Sequence, residues 1–223
     1  MNIIICPGIH ETDLTESFIS GWLSPSIDNL KSSSSSTLQE AKATSLQSPI
    51  PSPQSPIPSP QSPIPSPENI LVAPVPGILA LSSLHILQFL HDRLHHRLES
   101  PVIFISFSAG VVGAIAAAWQ WQLLGGDVKA FIAIDGWGVP LWGKFPIHRL
   151  SHDYFTHWSS SLLGSGQDNF YAEPAVDHLT MWRSPHSVQG WWVDSSQGEI
   201  TTPKTRLTAA EFLHLLLKHY EEK

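Results

Sequence analysis

The sequence predicts an α/β domain: a doubly wound, mostly parallel sheet with helices on both faces. Three observations carry this. Apolar runs of strand length alternate with stretches of helical periodicity at a spacing that suits right-handed crossovers. The runs are apolar at consecutive positions, as strands covered on both faces are. Of 223 residues, ten of the 19 prolines fall between Pro25 and Pro67; setting aside the Pro/Ser-rich block 32–67 leaves roughly 187 residues, enough for one core.

The elements follow in order. Ile3 to Cys6 is a β-branched run stopped by Pro7-Gly8, a buried strand ending in a turn. Thr12 or Asp13 caps a helix through Leu23, with Glu16 in capping-box spacing from Asp13. Three back-to-back copies of Gln-Ser-Pro-Ile-Pro-Ser-Pro fill 47–67, after a run of serines at 32–36. Prolines so spaced forbid helix and ladder and favour extended polyproline II. The block 32–67 therefore reads as a disordered insertion into a single domain spanning 1–223. Its Pro-x-x-Pro spacing also fits an SH3-type ligand, but the flanking Arg or Lys of such ligands is missing.

Ile70 to Val75 is a second strand. Ala80 to Leu98 carries Leu84, Leu87, Leu90, Leu94 and Leu98 at helical spacing. Its histidines 85, 91, 95 and 96 lack a carboxylate to complete a metal set and read as a solvated face. Val102 to Ser106 is a third strand, Ala109 to Leu124 a small-residue helix ended by Gly125-Gly126, and Lys129 to Ile134 a fourth strand stopped at Asp135-Gly136. Between Gly136 and Gly166, tryptophans and histidines crowd a stretch with few strand signals, predicting an aromatic-rich cap or loop region. His178 to Trp182 is predicted as a last strand, and Thr208 to Tyr220 as a closing helix with Thr208 and Glu211 in capping-box spacing.

Composition removes several functions. A net charge of −7 with 12 Lys and Arg argues against nucleic-acid binding. One cysteine excludes an internal disulfide or a cysteine-based zinc cluster and suits a reducing compartment. The apolar stretch from Val102 to Trp121 is broken by Ser106, Ser108, Gly110 and Gly113, so no stable membrane insertion is expected. Residues Met1 to Gly8 lack the charged n-region and long apolar core of a signal peptide. A cytoplasmic protein is the expectation. Neither Gly-x-Gly-x-x-Gly nor the full phosphate loop Gly-x-x-x-x-Gly-Lys-Ser/Thr occurs, since Gly138-Val-Pro-Leu-Trp-Gly143-Lys144 is followed by Phe145, which disfavours nucleotide binding.

The sharpest chemical signal is Ser106-Phe107-Ser108-Ala109-Gly110, set between an apolar strand and a helix. It resembles the nucleophile elbow of the α/β-hydrolase superfamily, Gly-x-Ser-x-Gly, with Ser106 in the first glycine's place. The resemblance covers about residues 1–24 and 68–135 and is to small bacterial members of that superfamily. It implies Ser108 as nucleophile, the backbone of Ala109 as one oxyanion donor, and the Pro7-Gly8-Ile9-His10 loop as the source of the second, through Gly8 or Ile9. It also implies an acid after a strand downstream of the serine, the place of Asp135, and then a histidine. In a plain strand–helix turn the same serine would cap the helix, and Asp135 would be a turn residue.

The histidine is open at this stage. His186 follows the carboxyl end of the predicted strand 178–182 and is preferred; His178, at its amino end, falls on the wrong edge of the sheet. His152 and His148 are alternatives, and with Asp153 and His157 they also have metal-ligand spacing, although packing among tryptophans is the preferred account and no metal or other cofactor is expected. Six of the nine tryptophans lie beyond residue 130, suiting an apolar pocket or lid. The expected function is a serine esterase, lipase or thioesterase acting on a small-molecule ester or thioester with an apolar group. The alternative is a non-catalytic binding or scaffold protein on the same fold.

Overall fold

A computed structural model describes residues 1–23, 69–74, 76–94, 97–164, 166, 168–194 and 202–222. The insertion 32–67, with its Pro-x-x-Pro spacing, and His95 and His96 lie outside the described residues.

The strands are β1 (Asn2–Cys6), β2 (Ile70–Val72), β3 (Val102–Phe107), β4 (Val128–Ile134), β5 (Ile147–Ser151), β6 (Asp168–Ala172), β7 (Gln189–Asp194) and β8 (Thr202–Thr208). The helices are α1 (Thr12–Leu23), α2 (Ser83–Leu94), α3 (Gly110–Leu123), α4 (Tyr154–Ser161), α5 (His178–Arg183) and α6 (Ala209–Glu221), with a 3₁₀ turn at Gly77–Leu81. One sheet runs β2-β1-β3-β4-β5-β6-β7-β8. The pairs from β2 through β6 are parallel, and β7 and β8 add antiparallel. The predicted α/β class with a mostly parallel sheet is what the chain adopts.

Alternation along the central strands divides the core. Ile3, Ile5, Ile103, Ile105, Ile132 and Ile134 point to one face, where Phe18 and Trp22 of α1, Trp182 of α5 and Phe212 and Leu213 of α6 cover them. Ile4, Cys6, Phe104 and Phe131 point to the other, under Ile86 and Leu90 of α2 and Val111, Ala114 and Ala118 of α3. Each large side chain fully buried here contributes about 1.5–3 kcal/mol relative to exposure. Thr208 and Glu211 form the predicted reciprocal capping box at the start of α6.

Three sequence expectations change. The helix drawn over 80–98 is a 3₁₀ turn followed by α2, and Leu84, placed on its apolar stripe, is exposed. The aromatic-rich segment 136–166 supplies β5 and α4. Residues 178–182 are not a strand: Asp177 accepts a hydrogen bond from the Thr180 amide and caps α5. β7, which carries Trp191 and Trp192, is not among the predicted elements.

Candidate functional site

Ligands of open parallel sheets bind outside the carboxyl ends of the strands, where the chain order reverses. Here β1 lies between β2 and β3, so the reversal falls at the carboxyl ends of β1 and β3. The loop Pro7–His10 leaves one and Ser108 leaves the other.

Ser108 sits at φ 53°, in the left-handed region that a residue with a Cβ occupies at a cost of about 1–2 kcal/mol. Its amide donates to Ile134 O at 2.9 Å and its carbonyl accepts from the Val111 amide at 3.1 Å, which fixes the turn between sheet and helix. The flanking positions are tight. A Cβ at Gly110 would fall 2.3 Å from Pro7 O and 2.6 Å from Cys6 O, so only glycine lets α3 begin against the end of β1. Ser106 is fully buried, and its hydroxyl donates to Ile132 O at 3.3 Å, so a serine fits the first glycine position without an unsatisfied polar group. Gly8 lies against the elbow, its Cβ direction 3.0 Å from Ser108 Cβ. Gly8 of the Pro7–His10 loop and Ala109, which follows Ser108, thus adjoin the serine, while Ile9 is exposed.

Asp135 follows β4 at φ 50° with its amide bonded to Leu150 O at 2.8 Å. The carboxylate is buried. Oδ1 accepts the His152 amide at 2.8 Å, and Oδ2 lies 3.0 Å from Nδ1 of His178. His178 Nε2 is 2.9 Å from Ser108 Oγ. Asp135, His178 and Ser108 therefore form one hydrogen-bonded chain. Its middle member is not the preferred His186 but the histidine set aside on strand direction.

The reason is the helix. His178 is the first residue of α5, behind the Asp177 cap, and the Val176 amide donates to His152 O at 3.0 Å, tying this entry to the end of β5. The imidazole stacks on Phe107 (4.6 Å, 22°), Phe107 on Trp182 (4.8 Å, 12°) and Trp182 on Phe18 (3.8 Å, 4°). A column of aromatic rings from α1 to β3 so holds the ring over the elbow. His186 instead is exposed, and the space a Gly21 Cβ would take lies 2.8 Å from its Nδ1, beside α1.

The other histidines separate. His148 is buried in β5, with Nε2 2.7 Å from Tyr220 Oη and Nδ1 2.7 Å from Asp168 O; burial lowers its pKa. His157 is buried in α4, and burial followed by the nearby Arg149 charge lowers its pKa to about 4. Both serve packing. His152 does not: its ring enters the site, with Nδ1 3.0 Å from Asp135 Oδ2 and Nε2 3.6 Å from Asp153 Oδ2. Contact with Asp135 raises its pKa, against the opposing effect of burial. Asp153 itself caps α4 by accepting the Thr156 amide.

A cavity of about 470 Å³ opens on this chain, with Leu81, Ala109, Val112, Trp137 and Val139 supplying apolar wall around Ser108, Asp135, His152 and His178. Among the described residues, no Lys or Arg lines it. A second cavity of about 550 Å³, lined by Gly8, His10, Thr12, Glu16 and Val72 between α1 and β2, contains none of these polar groups. Comparison with protein-family models, with curated proteins and with solved structures finds no match to this chain.

Proposed function

We propose that this protein is a serine hydrolase of the α/β-hydrolase type that cleaves an ester or thioester bearing an apolar group. The observation that carries the proposal is the chain Asp135–His178–Ser108, at 3.0 and 2.9 Å, standing on a strained strand-to-helix elbow. Ser108 Oγ attacks the carbonyl carbon while His178 Nε2 takes its proton. Asp135 stabilises the imidazolium and keeps the neutral ring in the tautomer whose Nε2 lone pair faces the serine. Charge developing on the carbonyl oxygen is met by the backbone amide of Ala109 and one from the Gly8-Ile9 loop, each donor of this kind being worth about 10²–10³ in rate. Collapse expels the alcohol or thiol, protonated by His178, and water repeats the sequence on the acyl-enzyme.

The apolar wall of Leu81, Val112, Trp137 and Val139 supports an uncharged, apolar acyl or alcohol group. Among the described residues the cavity lining has Asp135 and no Lys or Arg, which disfavours an anionic one. The test is hydrolysis of p-nitrophenyl esters and acyl thioesters of graded chain length. The proposal expects turnover that rises from acetyl to longer acyl groups and disappears in Ser108→Ala. Folded wild-type protein that turns over none of them would favour a binding protein on this fold.

A further inference from the structure

We infer that Asp135, His152 and His178 also form a binding site for a divalent transition-metal ion such as Zn²⁺, and that the ion, when bound, shuts off Ser108. The inference rests on the hydrolase reading only for its inhibitory half.

Three donor atoms converge. Asp135 Oδ2 stands 3.0 Å from Nδ1 of His152 and 3.0 Å from Nδ1 of His178, and all three atoms lie within 4.8 Å of one another. The imidazoles are edge to face, with centroids 6.1 Å apart at 78°, so the two rings approach the carboxylate in different planes. Two histidines and one carboxylate are a donor set suited to zinc and its neighbours, at about 2.0–2.2 Å from the metal. Donors around such an ion stand somewhat over 3 Å apart, close to the present spacing.

The second observation is a nitrogen without a use. His152 Nδ1 is shielded from solvent and, despite its 3.0 Å approach to Oδ2, makes no aligned hydrogen bond. The Ser108–His178–Asp135 chain needs nothing from this ring. Meanwhile Nε2 of His152 faces the Asp153 carboxylate at 3.6 Å. A metal-bound histidine commonly directs its other ring nitrogen to a carboxylate, which leaves the ligating nitrogen with its lone pair. A cation between Nδ1 and Oδ2 satisfies both atoms.

Binding there conflicts with catalysis through the tautomer of His178. In the resting chain Nδ1 carries the proton and Nε2 is the base. A metal on Nδ1 displaces that proton. The neutral ring then holds its single proton on Nε2, which donates to Ser108 Oγ and cannot take the serine's proton. No redox step is involved, and removing the ion restores the starting arrangement.

The test uses the full chain stripped with a chelator. Titration with Zn²⁺ alone, followed calorimetrically, is expected to show one site that weakens at least tenfold in His152→Ala. Co²⁺ is expected to give a visible absorption band in wild type that His152→Ala loses. In parallel, Zn²⁺ is expected to slow labelling of Ser108 by a fluorophosphonate, chelator to restore it, and labelling of His152→Ala, whatever its basal rate, to ignore zinc. Zinc binding that is absent, or unaltered by His152→Ala, overturns the site. Zinc binding that depends on His152 in a protein whose Ser108 never labels retains the site and removes the hydrolase reading instead.

Discussion

Replacing Gly110 with alanine isolates the contact that seats the elbow. The added Cβ falls 2.3 Å from Pro7 O and 2.6 Å from Cys6 O, both backbone atoms. A comfortable carbon–oxygen approach is about 3.3 Å or more, so α3 or the end of β1 must move by roughly 1 Å. β1 is paired on both sides and its last residues are fully buried, so it has little room to yield. Overpacking of this kind costs about 1–3 kcal/mol, offset by less than about 1 kcal/mol of helix propensity gained from alanine. A net loss of about 1–2 kcal/mol is expected, read as a lower urea midpoint at unchanged slope. The same movement carries Gly8 away from Ser108, and a 1 Å misplacement at a reacting centre lowers rate by about 10². Fluorophosphonate labelling should therefore slow more than the stability loss accounts for. Gly125→Ala is the control: its φ is 93°, but nothing lies within 4 Å of the new Cβ, so backbone strain of about 1 kcal/mol is expected with normal labelling. A Gly110→Ala protein with wild-type midpoint and labelling rate would refute the packing argument.

Three further outcomes follow. Asp135→Asn keeps an acceptor for the His152 amide but loses the charge that stabilises the His178 imidazolium, so Ser108 labelling should fall by about 10³–10⁴ while the fold survives; a fall below tenfold would remove Asp135 from the mechanism. His178→Ala should abolish labelling and His186→Ala should leave it within about twofold, since His178, not the exposed His186, is hydrogen-bonded to Ser108; the reverse pattern would restore the sequence-preferred base. Acid should destabilise the protein early: His157 takes a proton at about pH 4 when folded but near 6.5 when unfolded, so stability is complete above pH 6.5 and falls as pH drops to 4, by about 3 kcal/mol from this group. Burial lowers the pKa of His148 and His214 and acts in the same direction. Urea midpoints that stay flat between pH 7 and 5 would contradict this.

The parts of the fold that were legible are those whose apolar pattern is unmixed. β1, β3 and β4 read as buried runs, and α3 shows its small residues plainly, because both faces of the central sheet are covered. β5 was hidden because Ile-His-Arg-Leu-Ser is polar in composition yet buried throughout. Its burial depends on partners distant in sequence: Arg149 donates from Nε to Gly164 O at 2.7 Å and from an Nη to Val139 O at 2.9 Å, and Asn169 Oδ1 accepts the Arg149 amide at 2.8 Å. No local period reveals such compensation.

That His178 bridges Asp135 and Ser108 is illegible in the sequence for a different reason. Five residues, His-Leu-Thr-Met-Trp, are too few to separate a period of 2 from one of 3.6. The informative signal was the preceding Asp177, with Thr180 three residues later, a helix start rather than a strand start. Once α5 is a helix, the edge-of-sheet argument against His178 disappears. The positions of Ser108 and Asp135 are legible because each follows a readable strand at the edge where parallel sheets place ligands. His152 was readable only as one of several candidates, since its contact with Asp135 depends on β5.

The most direct test of the account is intact-mass analysis of the folded protein after incubation with a fluorophosphonate, followed by peptide mapping. The account predicts one adduct per chain, on Ser108, absent in His178→Ala. Folded protein that stays unmodified, or an adduct on any other residue, would contradict it.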